Sequence, residues 1–166
     1  MRNRGACIWV LILISIPSLF AGTTAAQDTS TPEERAQWVE ITHKLESHPL
    51  DDNVNKQGEA AFQRLSDVHD VHVLLCPALL TEFNGMKYAY SHTITRQYIL
   101  ASGAFQIENP NKIADTKAPG LAAVESVLKT YQAILQQKPD AKAKVLDDLL
   151  KKQSQGKLKD SLKQCS

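Results

Sequence analysis

The chain has 166 residues, of which 43% are hydrophobic, 22% charged and 6% aromatic, and its formal net charge is +1. A charged fraction near the globular average argues against wholesale disorder, and a near-neutral charge supplies no general basic field for nucleic acid. The length predicts one domain, and seven Gly and seven Pro exclude collagen-like and low-complexity architectures.

The segment 1–26 has the order of a secretory signal peptide. Arg2 and Arg4 form a short basic region, an uncharged apolar stretch covers 7–20, and small residues run on to Ala26. We predict cleavage after Ala26. The alternative is an uncleaved membrane anchor, but about fourteen strongly apolar residues fall short of the roughly 20 that span a bilayer.

Cleavage divides the chain into a signal peptide (1–26), a disordered lead-in (27–31) and a helical domain (32–166). Loss of Arg2 and Arg4 changes the net charge from +1 to −1, and the remaining chain is long enough to bury a real core. The sequence contains no Asn-x-Ser/Thr glycosylation site. We therefore expect an extracytoplasmic protein, periplasmic or secreted, of bacterial type.

Two helices open the domain. Thr31, Pro32 and Glu34 are typical of a helix start, because they supply an N-cap, a first helical residue and a capping-box acid. We expect this helix to end before His48, which precedes a proline. Asp51 and Asp52 can then cap a second helix. Apolar or small residues at helical spacing form the faces of the two helices: Trp38, Ile41 and Leu45 in the first, and Val54, Gly58, Ala61, Phe62, Leu65 and Val68 in the second.

The stretch 71–77 is ambiguous. It can continue the second helix through Val68, Val71 and Leu75, or form a short strand. Because no second β-rich segment is available to pair with a strand, we expect a helix or bent helix. Pro77 then opens a new helical turn that reaches Phe83.

Three further helices and a short terminal one complete the prediction. We expect helices over 87–105 and from Ala118 to the Lys138-Pro139 break, with a polar connection at 113–117 between them. A further helix contains Val145, Leu146, Leu149 and Leu150 and ends at Gly156. Leu158, Leu162 and Cys165 line the terminal helix. The pattern predicts an all-α fold, a single compact bundle of five to six amphipathic helices.

Cys76 and Cys165 are the two cysteines outside the signal peptide. In an exported chain two cysteines are most simply one disulfide, because the compartment is oxidising. The bridge would close a loop of about 90 residues. Free thiols, or pairing with a partner chain, are the alternatives.

A metal site is one candidate for chemistry. If 69–76 is helical, His69, His72 and Cys76 share one face at i, i+3 and i+7, a donor set that suits Zn²⁺ or Cu. A structural zinc site needs a fourth ligand, and Cys76 is also required for the disulfide. The alternative is a polar helix edge beside the core.

A small pocket is the second candidate. Tyr88, Ser91 and His92 lie close together on the predicted helix over 87–105. Tyrosines in a bundle more often sit at the core boundary with the hydroxyl in water. Ser91 and His92 cannot act as a nucleophilic pair, because adjacent helical residues do not face each other.

No recognised catalytic motif occurs in the chain, so we predict that the protein is not an enzyme and needs no cofactor. The leading hypothesis is an exported helical domain with a protein partner, as an interaction or envelope accessory factor. It has no nucleic-acid partner and meets the membrane only through its transient signal peptide. The alternative is a metal- or small-ligand-binding module centred on His69 and His72.

Overall fold

The computed structural model describes residues 29–112 and 117–165. The predicted signal peptide, the start of the lead-in and most of the predicted connection at 113–117 lie outside these ranges. Within them the fold is all-helical and strand-free, which confirms the predicted class. Six α-helices and two 3-10 segments slightly exceed the predicted helix count: α1 (Pro32–Ser47), α2 (Asp52–Asp67), α3 (Pro77–Gly85), α4 (Ser91–Glu108), α5 (Ala118–Gln137) and α6 (Lys144–Ser154), with 3-10 turns at Pro110–Lys112 and Leu158–Cys165.

The beginnings of α1 and α2 follow the predicted capping chemistry. The Thr31 hydroxyl accepts the Glu34 N–H at 3.1 Å, and the Glu34 carboxylate accepts the Thr31 N–H at 2.8 Å. The carboxylate of Asp51 accepts the Val54 N–H at 2.9 Å. Each cap satisfies amide donors that lack a partner inside the helix and is worth about 1 kcal/mol.

The last residues of the predicted lead-in contact the helical domain. Ser30 is buried, and its N–H and hydroxyl both donate to the Asp70 carboxylate, at 2.9 and 2.8 Å. The Thr29 carbonyl accepts a hydrogen bond from Arg64. Residues 29 and 30 are therefore connected to parts of the chain 35 to 40 positions away.

The fourth helix begins later than predicted, at Ser91 in place of Lys87. Residues 86–90 form turns, in which the N–H of Ser91 donates to the carbonyl of Tyr88 at 3.1 Å. The rings of Tyr88 and Tyr131 pack edge to face with centroids 6.2 Å apart. The local spacing favours a helix at 87–90, but the chain forms turns there, and the Tyr88 ring packs against α5.

The most central helix is α4, which packs most extensively against α5 and also contacts α1, α2 and α3. It separates two clusters of buried apolar residues. The larger cluster joins α3, α4, α5, α6 and the terminal 3-10 segment. The smaller cluster joins α1, α2 and α4 around Trp38, Ile41, Leu45, Leu65 and Leu100.

Cys76 and Cys165 form a disulfide, as predicted, with the sulfurs 2.08 Å apart and a sequence separation of 89. Both cysteines belong to the larger cluster, Cys76 within it and Cys165 packed against it. The bond therefore ties the last described turn of the chain to the beginning of α3. Among the described helices, none has the length and apolar character needed to cross a bilayer.

Candidate binding groove

Residues 68–76 join α2 to α3 without forming a helix, and we call them the connector. This overturns the expected helix or bent helix over 71–77. The connector is held by side chains of α4: the Ser102 hydroxyl donates to the Leu74 carbonyl at 2.8 Å, and the Cys76 N–H donates to the Tyr98 hydroxyl at 3.1 Å. These hydroxyls replace the backbone bonds that a helix would make.

The connector does not present its histidines as a helix face. His69 and His72 are exposed, whereas Cys76 is buried and committed to the disulfide. Over the described ranges, no cluster of three or more His, Cys, Asp or Glu side chains could hold a metal ion. Metal binding by His69 and His72 stays a prediction, without the helical geometry that motivated it.

An open groove of about 400 Å³ lies at the first half of the connector, between the beginning of α1 and the end of α4. We call it the connector groove. Its apolar wall includes Pro32, Val71, Ile107 and Pro110. Its polar side chains are Arg35, Asp70, His72 and Gln106, so one of the two predicted histidines does line a cavity.

An ion pair fixes one side of the connector groove. The Arg35 guanidinium donates to the Asp70 carboxylate at 2.5 Å, beside the two hydrogen bonds from Ser30. Burial raises the pKa of the Asp70 carboxyl, but the hydrogen bonds from Ser30 and Arg35 outweigh it and lower the pKa overall. Asp70 is therefore ionised and already partnered.

Gln106 is the unusual residue of the groove. Its side chain is 8% exposed, and its Nε2 is buried without a hydrogen-bond partner among the described residues. Buried polar groups are nearly always hydrogen-bonded, and each exception requires an explanation. A primary amide carries both a donor and an acceptor, and Gln106 is one of the residues that line the groove, with its Nε2 atom buried behind the groove surface.

The structure does not bring Tyr88, Ser91 and His92 together on one helix face. Tyr88 precedes α4, and its hydroxyl is buried with no partner in the described part of the chain. Burial raises the pKa of Tyr88, with the neighbouring Tyr131 as a smaller cause. His92 is exposed and lies 4.0 Å from the Glu59 carboxylate, while Ser91 begins α4 and is half-buried.

A second open groove of about 400 Å³ lies between α1 and α2, with buried Trp38 among its lining residues. Its polar rim is internally paired: Arg64 donates to Glu34 at 2.9 Å, and Lys44 lies 2.6 Å from Glu40. No buried side-chain atom among its described lining residues lacks a partner. The connector groove therefore gives the stronger indication of a ligand.

The sequence did not single out Gln106 and Ile107. A polar and an apolar residue next to a predicted helix end are common and do not indicate a binding site. The polar residues around Asp70 and His72 did indicate that this part of the chain could bind a ligand. Their spacing, however, predicted a metal site in place of a groove. No known protein-family model, curated protein or solved structure matches this chain. The function is therefore inferred from the groove itself.

Proposed function

We propose that this protein is an exported, non-enzymatic interaction module whose connector groove binds an extended segment of a partner protein. Export is supported by the basic, apolar and small-residue order of segment 1–26. The disulfide also supports it, because such bonds persist mainly in oxidising compartments.

The unpartnered amide of Gln106 is the observation that carries this proposal. A peptide group presents a carbonyl and an N–H side by side, so it complements a primary amide with both a donor and an acceptor. The apolar wall of Val71, Ile107 and Pro110 fits the apolar side chains that flank such a peptide group. A polar anchor within an apolar groove is the usual composition of a specific binding site.

The Asp70 carboxylate fits a role in binding better than a role as a general base. A general base works best when its pKa lies near the working pH. The pKa of Asp70 is instead lowered by Ser30 and Arg35, which also occupy its oxygens. The Asp70 carboxylate therefore helps to hold one wall of the groove in place. It is poorly suited to accept a proton from a bound molecule.

The proposal is tested by selecting displayed random peptides of about ten residues, which extend over roughly 33 Å, on the purified disulfide-bonded protein. Ile107→Glu places a charge in the apolar wall at a half-buried position, and we expect it to weaken a selected peptide about tenfold or more. Ala60→Glu is the matched control, because Ala60 is exposed and lines the α1–α2 groove. Its affinity should stay within about twofold of the wild type.

Two results would overturn the proposal. One is that no peptide is enriched, or that Ile107→Glu binds as well as Ala60→Glu. The other is binding that needs added Zn²⁺ and disappears in His69→Ala/His72→Ala, since that result belongs to the metal-binding alternative.

A further inference from the structure

The two edges of the connector are used differently. In extended backbone, the N–H and C=O of one residue point to the same side and those of the next residue to the opposite side. The Leu74 carbonyl and the Cys76 N–H both bond to hydroxyls of α4, those of Ser102 and Tyr98. We call this side, occupied by positions 74 and 76, the inner edge.

The opposite side, the outer edge, belongs to Val73 and Leu75. Their backbone N–H and C=O groups make no hydrogen bond with any residue in the described part of the chain. Unpaired backbone groups of this kind are a template for another strand. The outer edge thus offers two donors and two acceptors, repeating at about 6.6 Å in extended backbone.

The packing of the connector is also strand-like. Val71 and Val73 pack against the smaller cluster and Leu75 against the larger one, whereas the intervening His72 is exposed. The backbone angles at both ends, Val68 and Cys76, are extended. The alternation is confined to positions 71–73, because Leu74 is half-buried like Val73 and Leu75. Residues 69–71 form bends, so the part of the connector that is free of turns and bends, and on which a second strand can pair, is 72–76.

Cavities lie at both ends of the connector. The connector groove is lined by its positions 70–72, and a smaller cavity of about 150 Å³ is lined by Leu74 and Leu75 together with Gly120 and Leu162. A strand laid along the connector would direct alternate side chains towards such cavities. Backbone pairing then gives affinity and the cavities give specificity, as in other cases of strand addition.

We infer that the partner segment binds as an added β-strand, hydrogen-bonded to the outer edge of the connector at Val73 and Leu75. The inference rests on the proposed function. It specifies that the partner segment is an extended polypeptide with apolar side chains and is neither a helix nor the surface of a folded domain. The amide of Gln106, in the connector groove, then pairs with a further peptide group of the same segment.

The first test is an N-methyl scan of a peptide selected on the wild-type protein. Each N-methyl group removes one peptide N–H, so strand pairing predicts an alternating pattern. Every second position should weaken binding about tenfold or more, and the intervening positions should change it by less than about threefold.

The second test is amide hydrogen exchange of the protein with and without this peptide. We expect the Val73 and Leu75 amides to exchange about tenfold more slowly in the complex. The Leu74 amide faces the inner edge and is an internal control that should change by less than about twofold. This measurement uses the wild-type protein and does not depend on a variant that folds.

The outcomes separate this inference from the proposed function. In one outcome, peptide binding depends on Ile107 while the N-methyl scan shows no alternation, or while the Val73 and Leu75 amides exchange no more slowly. Either result overturns strand pairing and leaves the proposed function in place. Absence of peptide binding overturns both. Slow exchange at these amides in the free protein, together with a dimer in sedimentation experiments, would assign the outer edge to a second copy and overturn the inference.

Discussion

The larger and the smaller hydrophobic clusters share α4 but differ at their borders. Among the described residues, the larger cluster contains 17 that are buried, including the rings of Phe83, Tyr98 and Tyr131, and the disulfide joins two of its chain segments. The smaller cluster contains seven buried residues, and both open grooves of about 400 Å³ lie against it.

Ion pairs surround the smaller core. Arg35 with Asp70 and Arg64 with Glu34 are partly exposed pairs, which contribute little stability although they hold side chains in position. Arg96, by contrast, is 5% exposed and pairs with the half-buried Glu59. The comparison indicates that the larger cluster is the more extensive core, while the smaller one borders both open grooves, including the groove of the proposed function.

Removal of the disulfide should have the largest effect. We expect Cys76→Ser/Cys165→Ser to lower the free energy of unfolding by about 4 kcal/mol, because the bond closes a long loop in the unfolded chain. Chemical denaturation of the variant measures the loss, and reduced wild-type protein is the control. A loss below about 1 kcal/mol would contradict the role assigned to the bond in the larger cluster.

A matched pair of leucine truncations sharpens the contrast between the clusters. Leu128 is fully buried in the larger cluster, and Leu65 is 6% exposed in the smaller one. We expect Leu128→Ala to cost about 4 kcal/mol and Leu65→Ala about 2–3 kcal/mol, because the region beside open grooves relaxes more easily into the vacated space. Equal losses in urea unfolding would break the comparison.

The smaller cluster is nevertheless tight where α1 crosses α2. A Cβ atom at Gly58 would lie 2.7 Å from Leu45 Cδ1, and Leu45 is itself 1% exposed. We expect Gly58→Ala to destabilise the protein by about 1–2 kcal/mol in thermal unfolding, since overpacking exceeds the gain in helix propensity.

Gly85→Ala is the matched control for this substitution. Gly85 is also helical, and no described atom outside its immediate surroundings lies within 4 Å of its Cβ position. We expect an unchanged or slightly higher melting temperature, because alanine favours helix without meeting a neighbour. Stabilisation by both alanines would show that the α1–α2 crossing is as open as the grooves.

The ion pair at the connector groove should give the smallest effect, and its pH dependence identifies it. Because hydrogen bonds from Ser30 and Arg35 lower the pKa of Asp70 despite its burial, ionised Asp70 stabilises the folded state above its ordinary pKa of 3.8. That contribution is lost as the pH falls through 3.8 towards the lowered value.

We therefore expect Asp70→Asn to be less stable than the wild type near pH 7, with the difference shrinking as the pH falls below the ordinary pKa of 3.8. Melting temperatures at several pH values measure it. Asp148→Asn is the control, because Asp148 is exposed on α6 and makes no ion pair with a described residue. A difference that persists at low pH would mean that the substitution disturbs the packing instead of the charge.

Much of the fold was predictable because its determinants are local. The capping residues Thr31, Glu34 and Asp51 act on amides three positions away, and Pro77 begins α3 as expected. The disulfide followed from the number of cysteines and the predicted compartment. Helical periodicity was sufficient to assign the all-α class.

The candidate site was less predictable because its determinants are distant in sequence. The connector resembles a helix locally, yet Tyr98 bonds to Cys76 from 22 positions away and Ser102 to Leu74 from 28. Gln106 has the same sequence signature as a solvated residue near a helix end. It lines the groove together with residues of the connector and α1, neither of which is close to it along the chain.

The sequence by itself determined most of the helices, the caps of α1 and α2, the all-α class and the cysteine pair, because each follows from contacts between near neighbours or from composition. Only the tertiary structure decided that residues 68–76 remain unwound, that Ser30 pairs with Asp70, and that Gln106 lies buried beside a groove. Those features arise where three separate elements meet. Their hydrogen bonds depend on distances that no local pattern encodes.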